Sequence, residues 1–190
     1  MSGKVGPPER APRPSDDVVG VRRPSMTYRT DVVRRSPRSR PDSYGCGMSE
    51  TTYTAVATST AEGRNGGRAT SDDGALDVGL AVPKAFGGAG DGTNPEQLFA
   101  AGWASCFVGA VRRVAGVKKV PLNDLAVVAE VTLHHDTDAG EFHLSAALHL
   151  EATGIDQATA DELVQGAHQV CPYSKATRGN VEVTLDATVA

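Results

Sequence analysis

Alternating apolar and polar residues predict three strands in the carboxyl-terminal half of the chain. Apolar side chains take every second position over residues 125–133, 142–150 and 181–189, and this period of two is typical of half-buried strands. The polar turn at residues 136–140 joins the first two stretches into a hairpin. Nearer the amino terminus, a Thr- and Val-rich run at residues 53–59 and an alternation at residues 76–82 predict two more strands.

The first of two predicted helices carries a full set of start signals. Asn94 is a good N-cap, Pro95 suits the first helical position, and Glu96 complements the positive end of the helix. The helix is predicted over residues 95–115, with Gly116 as its stop. Its side chains are unusually small, so another helix could approach it closely. We expect a central helix that is buried on most sides.

A second helix is predicted between the hairpin and the last strand. Asp156 caps it, Val164, Ala167 and Cys171 lie along one stripe at helical spacing, and Pro172 marks its end. The resulting order is β-β-α-β-β-α-β with antiparallel hairpins. This order predicts an α+β fold.

Composition divides the chain into a basic tail and an acidic body. Residues 1–47 hold ten Lys and Arg against five Asp and Glu, are rich in Pro and Ser, and lack any period of 2 or 3.6. We predict a disordered, solvated tail without a nucleic-acid or membrane role, followed by one folded domain over residues 48–190. Met48 resembles a natural start, so an over-extended gene start is a second interpretation of the tail.

Cysteine usage and hydropathy favour a reducing compartment. No stretch approaches the roughly 20 apolar residues of a membrane span, and no apolar segment near the amino terminus resembles a secretory signal. We therefore expect a cytoplasmic protein. Three cysteines are too few for a disulfide-stapled scaffold, and none forms a CxxC pair. Cys46 in the tail is treated as incidental, whereas Cys106 and Cys171 lie in patterned segments.

Cys106 needs a cation if it is to act as a nucleophile. Only the thiolate attacks a peroxide, and an ordinary cysteine with a pKa of about 8.5 is little ionised at neutral pH. Cys106 lies about three turns inside its helix, beyond the reach of the helix dipole. Arg64, between glycines in a flexible loop, is the candidate cation, and Glu96 is the natural partner for it.

Helix geometry constrains this site. Ten residues of helix separate Glu96 from Cys106 by roughly 15 Å, so the two cannot touch on one helix. Either Arg64 spans the gap at full stretch, or an antiparallel helix of a second subunit brings its own Glu96 beside this Cys106. We predict the second arrangement, a two-fold homodimer with active sites near the interface.

Cys171 is the candidate resolving cysteine. Partial negative charge at the end of its helix disfavours a thiolate, which suits a thiol that waits and then attacks a sulfenic acid at Cys106. The first alternative is a binding or structural module, because two core cysteines are usually inert packing. The second is a metal protein that uses the hairpin histidines His134, His143 and His149. These histidines occupy polar strand positions, and no carboxylate or thiol at suitable spacing completes a metal site.

Two long blocks of sequence, residues 92–107 (GTNPEQLFAAGWASCF) and 171–180 (CPYSKATRGN), resemble the signature blocks of organic hydroperoxide resistance (Ohr) proteins in the OsmC/Ohr superfamily. The resemblance covers the body from about Thr51 onward. It implies an OsmC/Ohr-like fold, with antiparallel sheets packed around two central helices in an intertwined homodimer. Trp103 and Ser105 depart from the commoner tyrosine and alanine of the family, which bears on substrate preference.

The resemblance also implies a chemistry. Cys106 matches the peroxidatic cysteine, Cys171 the resolving one, Arg64 the loop arginine and Glu96 its carboxylate partner. The implied reaction reduces alkyl and fatty-acid hydroperoxides without metal or haem, and dihydrolipoamide on a lipoylated protein reduces the disulfide. An osmotically induced peroxidase of the sister OsmC type is the alternative, although the continuation of the second block favours Ohr.

An apolar substrate pocket is expected independently of the resemblance. Phe99, Trp103 and Phe107 lie within two turns of Cys106, where they would favour an alkyl peroxide over hydrogen peroxide. Each of the three could equally belong to the core.

Overall fold

Three short strands form a first, small sheet in the computed structural model, which describes residues 50–190. Strands β1 (Ala57–Thr60), β2 (Arg68–Ser71) and β3 (Asp77–Gly79) pair antiparallel in that order. All secondary structure described here belongs to the compact unit Thr51–Ala190. The predicted tail at residues 1–47, with Cys46, lies outside the described residues.

The first sheet has one strand that was not predicted, and its two predicted strands are shorter than the predicted runs, with β3 confined to Asp77–Gly79. The prediction missed β2, because its residues Arg-Ala-Thr-Ser lack a row of apolar side chains. The first strand begins at Ala57, later than predicted, and every residue of it is exposed. A glycine-rich turn with one 3-10 turn at Gly63–Asn65 joins β1 to β2. A strand exposed on both faces contributes no side chains to a core within this chain.

Helix α1 (Pro95–Lys118) begins as predicted and ends later. The side chain of Asn94 accepts a hydrogen bond from the backbone N–H of Gln97 at 2.8 Å, which confirms the N-cap. The helix continues through Gly116 for two more residues, so the predicted stop is wrong. Lys119, with φ of 57°, takes the left-handed conformation that closes the helix.

A long hairpin and a parallel strand form the second sheet. Strands β4 (Leu125–Asp136) and β5 (Glu141–Ala152) pair antiparallel over their full length, which confirms the predicted hairpin. Strand β6 (Glu182–Val189) pairs with β5 in parallel. The prediction of antiparallel pairing is therefore wrong for this strand, because the helical crossover between β5 and β6 returns the chain in the same direction.

Helix α2 (Gln157–Val170) makes most of that crossover. Asp156 caps it as predicted, since its carboxylate accepts a hydrogen bond from the backbone N–H of Thr159 at 2.7 Å. Cys171 follows the last helical residue, and a short helix α3 (Pro172–Thr177) begins immediately after it. The sequence pattern did not predict α3. Cys171 therefore lies at a junction between two helices, where the direction of the chain changes.

The core lies between the helices and one face of the second sheet. Its fully buried large side chains include Trp103, Phe107, Leu148, Leu150 and Leu163. No residue of the first sheet belongs to this cluster. The α+β prediction is confirmed, and Cys106 and Cys171 lie where α1 meets α2 and α3.

Helix α1 is long and apolar enough, by length and composition alone, to cross a membrane. The prediction that no stretch comes close to that composition is therefore wrong. Core helices of soluble proteins meet the same criterion. Trp103, Phe107 and Val111 on one face of α1 are fully buried in the core, whereas Ala101, Ser105 and Gly109 on another face are exposed.

Candidate active site

The two body cysteines meet where α1 crosses the junction between α2 and α3. The thiol of Cys171 donates a hydrogen bond to Sγ of Cys106 across 3.5 Å, and both cysteines are free. Cys171 is fully buried, whereas Cys106 is partly exposed. A disulfide needs a sulfur–sulfur distance of about 2.05 Å, so the two atoms are about 1.5 Å from bonding distance.

Local structure explains why these two sulfurs meet. Cys106 lies on α1 beside the buried face, one residue before the core residue Phe107. The backbone N–H of Cys171 bonds to the carbonyl of Ala167, and its own carbonyl accepts from Lys175 N–H in α3. Cys171 thus ends one helix and begins the next, which fixes its side chain toward α1.

Within a single chain, Cys106 is not activated as a nucleophile. Burial raises the pKa of the Cys106 thiol, and the neighbouring Cys171 raises it further, while the backbone amide of Tyr173 lowers it. Burial is the largest of these effects, so the pKa stays above the ordinary cysteine value. A peroxide-reducing cysteine needs the opposite shift.

Arg64 and Glu96 form a second pair away from the cysteines. The guanidinium of Arg64 donates to a carboxylate oxygen of Glu96 in the first turn of α1. The side chain of Glu96 is largely buried, and that of Arg64 is partly exposed. This pairing of loop arginine and helix carboxylate occurs within one chain. The placement of a Glu96 from a second subunit beside Cys106 stays a prediction.

The two pairs lie far apart along α1. Cys106 follows Glu96 by ten residues, which is about 15 Å along a helix axis. Side chains on a helix lean toward its amino terminus, so the side chain of Glu96 leans away from Cys106. The Glu96-bound guanidinium therefore does not reach Cys106 of the same chain. The structure brings together Arg64 with Glu96 and Cys106 with Cys171, but not one pair with the other.

The three predicted pocket aromatics have different positions. Trp103 and Phe107 are completely buried in the core, and in this chain they offer no surface to a substrate. Phe99 is only partly buried and packs against the rings of Trp103 and Tyr173, with ring centroids 5.4 Å and 5.9 Å away. Tyr173, which the sequence analysis did not single out, is 38% exposed beside Cys106.

A separate cavity of about 480 Å³ opens beside Glu96. Its lining is mostly apolar and includes Phe86, Val131 and Leu133. The cavity is therefore next to the Arg64–Glu96 pair rather than next to the cysteines of the same chain.

The hairpin histidines are engaged with other side chains. The rings of His134 and His143 stack with centroids 4.6 Å apart, and His134 shares a hydrogen bond with Ser145 at 2.7 Å. His149 pairs with Asp186 at 2.8 Å. Across residues 50–190, no group of three or more His, Cys, Asp or Glu side chains is arranged to hold a metal ion.

Comparisons with known proteins agree with the fold. The model of the OsmC-like protein family matches residues 88–186. The organic hydroperoxide resistance protein of Xanthomonas axonopodis pv. citri is 49% identical over 138 residues, which cover 70% of this chain and 92% of that protein.

Solved structures give the same result. A crystal structure of an organic hydroperoxide resistance protein from Legionella pneumophila is 48% identical, with a TM-score of 0.68 over 74% of this chain and 100% of that one. The structure of OhrB from Bacillus subtilis is 45% identical, with a TM-score of 0.65 over 72% of this chain and 98% of that one.

Together, the α+β architecture and the family match define a protein of the OsmC/Ohr superfamily. Within that superfamily, the chain belongs to the organic hydroperoxide resistance family.

Proposed function

We propose that this chain is a thiol-dependent peroxidase that reduces organic hydroperoxides to alcohols and so protects the cell from organic peroxide stress. The observation that carries the proposal is the 3.5 Å contact between the sulfurs of Cys106 and Cys171. Membership of the organic hydroperoxide resistance family supports the choice of substrate.

The proposed reaction has three balanced steps. The Cys106 thiolate attacks the terminal peroxide oxygen, the O–O bond breaks, and the alkoxide leaves and takes a proton to become the alcohol. The Cys171 thiol then attacks the sulfur of the Cys106 sulfenic acid, which forms the disulfide and releases water. An external dithiol, which we propose to be dihydrolipoamide on a lipoylated protein, reduces the disulfide and becomes oxidised itself. The proposed reaction uses only the sulfur atoms of the two cysteines and of the dithiol, without metal or haem.

Two chains are needed to activate the nucleophile. In one chain, burial raises the pKa of Cys106. The Arg64–Glu96 pair lies about 15 Å from Cys106 along the axis of α1. We propose a two-fold homodimer in which the Arg64–Glu96 pair of one subunit lies against Cys106 of the other. An adjacent guanidinium lowers an acid's pKa by roughly one to three units.

Two uncovered surfaces support this dimer. One face of α1 exposes only small side chains at Ala101, Ser105 and Gly109, which allows close approach of a second helix. The first sheet has an exposed strand β1 and no share in the core cluster. A second copy of the chain would cover both surfaces and would bring the cavity beside Glu96 close to the partner's Cys106.

The surroundings of the cysteines favour an apolar substrate. Tyr173 lies beside Cys106 and its ring packs against Phe99, and the cavity beside Glu96 is lined mostly by apolar side chains. An alkyl or fatty-acid chain gains free energy from such contacts, whereas hydrogen peroxide does not. We propose that alkyl and fatty-acid hydroperoxides are preferred, and that the protein acts in the cytoplasm, where dithiol reductants are available.

A peroxidase assay tests the proposal. Consumption of cumene hydroperoxide and hydrogen peroxide is compared with dihydrolipoamide, thioredoxin or glutathione as the reductant. We expect fastest turnover with cumene hydroperoxide and dihydrolipoamide, and no turnover by Cys106→Ser. A preference for hydrogen peroxide with thioredoxin would overturn the assignment.

A further inference from the structure

Helix α3 and the residue before it are attached to α1 at two points. One is the contact between the sulfurs of Cys106 and Cys171. The other is a hydrogen bond of 3.2 Å from the indole N–H of Trp103 to Oγ of Ser174. Trp103 and Ser174 each lie three residues from a cysteine. Their hydrogen bond therefore joins the same two segments about one helical turn away from the sulfurs.

The Trp103–Ser174 bond is fully enclosed. Both residues have zero exposure, so water cannot replace either partner. The indole N–H is a donor without alternatives, and loss of its acceptor leaves a buried polar group unpaired, which costs more than the bond itself contributes. The hydrogen bond therefore fixes the position of α3 along the axis of α1.

Aromatic packing at the same place is less directional. The Tyr173 ring lies over Gly102, where an added Cβ would come within 3.0 Å of the tyrosine hydroxyl. The same ring packs against Phe99 at a centroid distance of 5.9 Å. These contacts pack α3 against α1, but rings in tilted contact can slide past each other, whereas a hydrogen bond fixes both distance and direction.

We propose that the Trp103–Ser174 hydrogen bond is a positioning device for disulfide closure. This inference rests on the proposed peroxidase function and concerns its second step. Closure requires the two sulfurs to move from 3.5 Å to about 2.05 Å. With the hydrogen bond as a pivot one turn away, a small rotation of the junction brings Cys171 to the Cys106 sulfenic acid.

Loss of this bond changes the fate of the sulfenic acid. In the closing step, the Cys171 sulfur forms the S–S bond, the S–O bond of Cys106 breaks, and hydroxide leaves with the thiol proton as water. A second peroxide molecule competes for the same sulfur and oxidises it to a sulfinic acid, which a dithiol does not reduce. Slower closure therefore diverts Cys106 toward sulfinic acid.

Stopped-flow fluorescence measures this step directly, because Trp103 is the only tryptophan in the sequence and lies beside the cysteines. We expect the first phase, whose rate depends on peroxide concentration, to report oxidation of Cys106. The second phase reports disulfide closure. In Ser174→Ala, the second phase slows by roughly five- to tenfold, as expected for the loss of one buried hydrogen bond. Mass spectrometry then finds more sulfinic acid at Cys106 at a given peroxide dose.

The matched control is Thr177→Val. Thr177 is a second buried hydroxyl on α3, and it donates only to carbonyls of its own helix, those of Tyr173 and Ser174. Its loss leaves the attachment to α1 intact, so closure stays close to the wild-type rate. Equal closure rates in Ser174→Ala and Thr177→Val would overturn the inference.

Trp103→Phe supplies a second test that does not depend on Ser174→Ala folding. It removes the donor and keeps an aromatic ring, and quenched-flow mass spectrometry replaces fluorescence as the readout. The double variant Trp103→Phe/Ser174→Ala should form the disulfide no more slowly than the slower single variant, because each substitution removes the same hydrogen bond. Additive effects would contradict the inference, whereas a wild-type protein that forms no disulfide at all would instead contradict the proposed function.

Discussion

At the scale of single residues, the proposed peroxidase reaction depends on the protonation state of the Cys106 thiol. Burial raises the pKa of Cys106 in one chain, and only the Tyr173 backbone amide acts in the opposite direction. A thiolate at neutral pH therefore requires a positive charge from outside this environment. Arg64, held by Glu96, is the candidate.

The pH dependence of the first step tests the role of Arg64. Its rate follows the thiolate, so it rises with pH through the pKa of Cys106. A guanidinium beside the sulfur lowers that pKa, and Arg64→Met therefore shifts the midpoint of the rate profile to higher pH, by roughly one to three units. The measurement is the second-order rate constant with cumene hydroperoxide over a range of pH.

Arg68→Met is the matched control for this prediction. Arg68 on β2 forms an exposed ion pair with Asp77 at 2.5 Å, so its loss removes one positive charge near the same loop without touching Glu96. The midpoint of this variant should equal that of the wild type. Equal midpoints for both arginine variants would show that Arg64 does not act on Cys106.

The roles of single residues were partly predictable from the sequence. Cys106, Cys171, Arg64 and Glu96 were chosen from the chemistry that a thiolate requires and from family resemblance, and two contacts among them are present in the structure. Ser174 and Tyr173 were missed, because their positions depend on α3, which leaves no periodic pattern. A buried indole needs an acceptor, so Trp103 was the one signal pointing toward a residue such as Ser174.

At the scale of elements, α1 is the scaffold that carries Glu96 at its start and Cys106 in its middle. Its beginning is fixed by the Asn94 cap and by Pro95, and its middle is fixed by core contacts of Trp103 and Phe107. The separation of the two site residues is thus a property of one rigid helix.

Loss of the α1 cap should weaken the fold without changing the chemistry of Cys106. Asn94→Ala removes the acceptor for Gln97 N–H and should lower the free energy of unfolding by about 1 kcal/mol. Asn94→Ser, which keeps a capping oxygen, should stay close to wild type. Urea denaturation measures both, and an equal loss in the two variants would contradict the capping account.

Periodicity predicted the long elements and missed two short ones, strand β2 and helix α3. The β4–β5 hairpin was predictable because twelve-residue strands display their alternation many times. Strand β2 was missed because it lacks a row of apolar side chains, and the six residues of α3 are too few for a helical period to emerge. The parallel direction of β6 does not alter its own alternation, so it can only be inferred from the crossover through α2.

At the scale of the whole molecule, one chain holds both halves of the proposed site, and the two halves do not meet within it. The cysteine pair and the Arg64–Glu96 pair are about 15 Å apart along α1. The small-residue face of α1 and strand β1 of the first sheet are exposed in one chain. A two-fold dimer, proposed here, would resolve both features with one interface.

Complementation at neutral pH between a variant without the activating arginine and a variant without the nucleophile tests the shared site. Arg64→Met and Cys106→Ser chains, co-expressed with different tags, are purified as the mixed dimer. One of its two sites then combines an intact Cys106 with an intact Arg64 from the other chain, so activity should return to about half of the wild-type value. The control pairs Arg64→Met with the double variant Arg64→Met/Cys106→Ser, which leaves no intact site. If the mixed dimer is as inactive as this control, each site belongs to one chain.

The central claim is that an organic hydroperoxide converts Cys106 and Cys171 into a disulfide. The most direct measurement is mass spectrometry of the reduced protein after one equivalent of cumene hydroperoxide, with free thiols alkylated and peptides mapped. The account predicts the loss of two hydrogens and a peptide that links Cys106 to Cys171, with Cys171→Ser stopping at the sulfenic acid of Cys106. Peroxide consumption that leaves both thiols free, or that continues in Cys106→Ser, would contradict it.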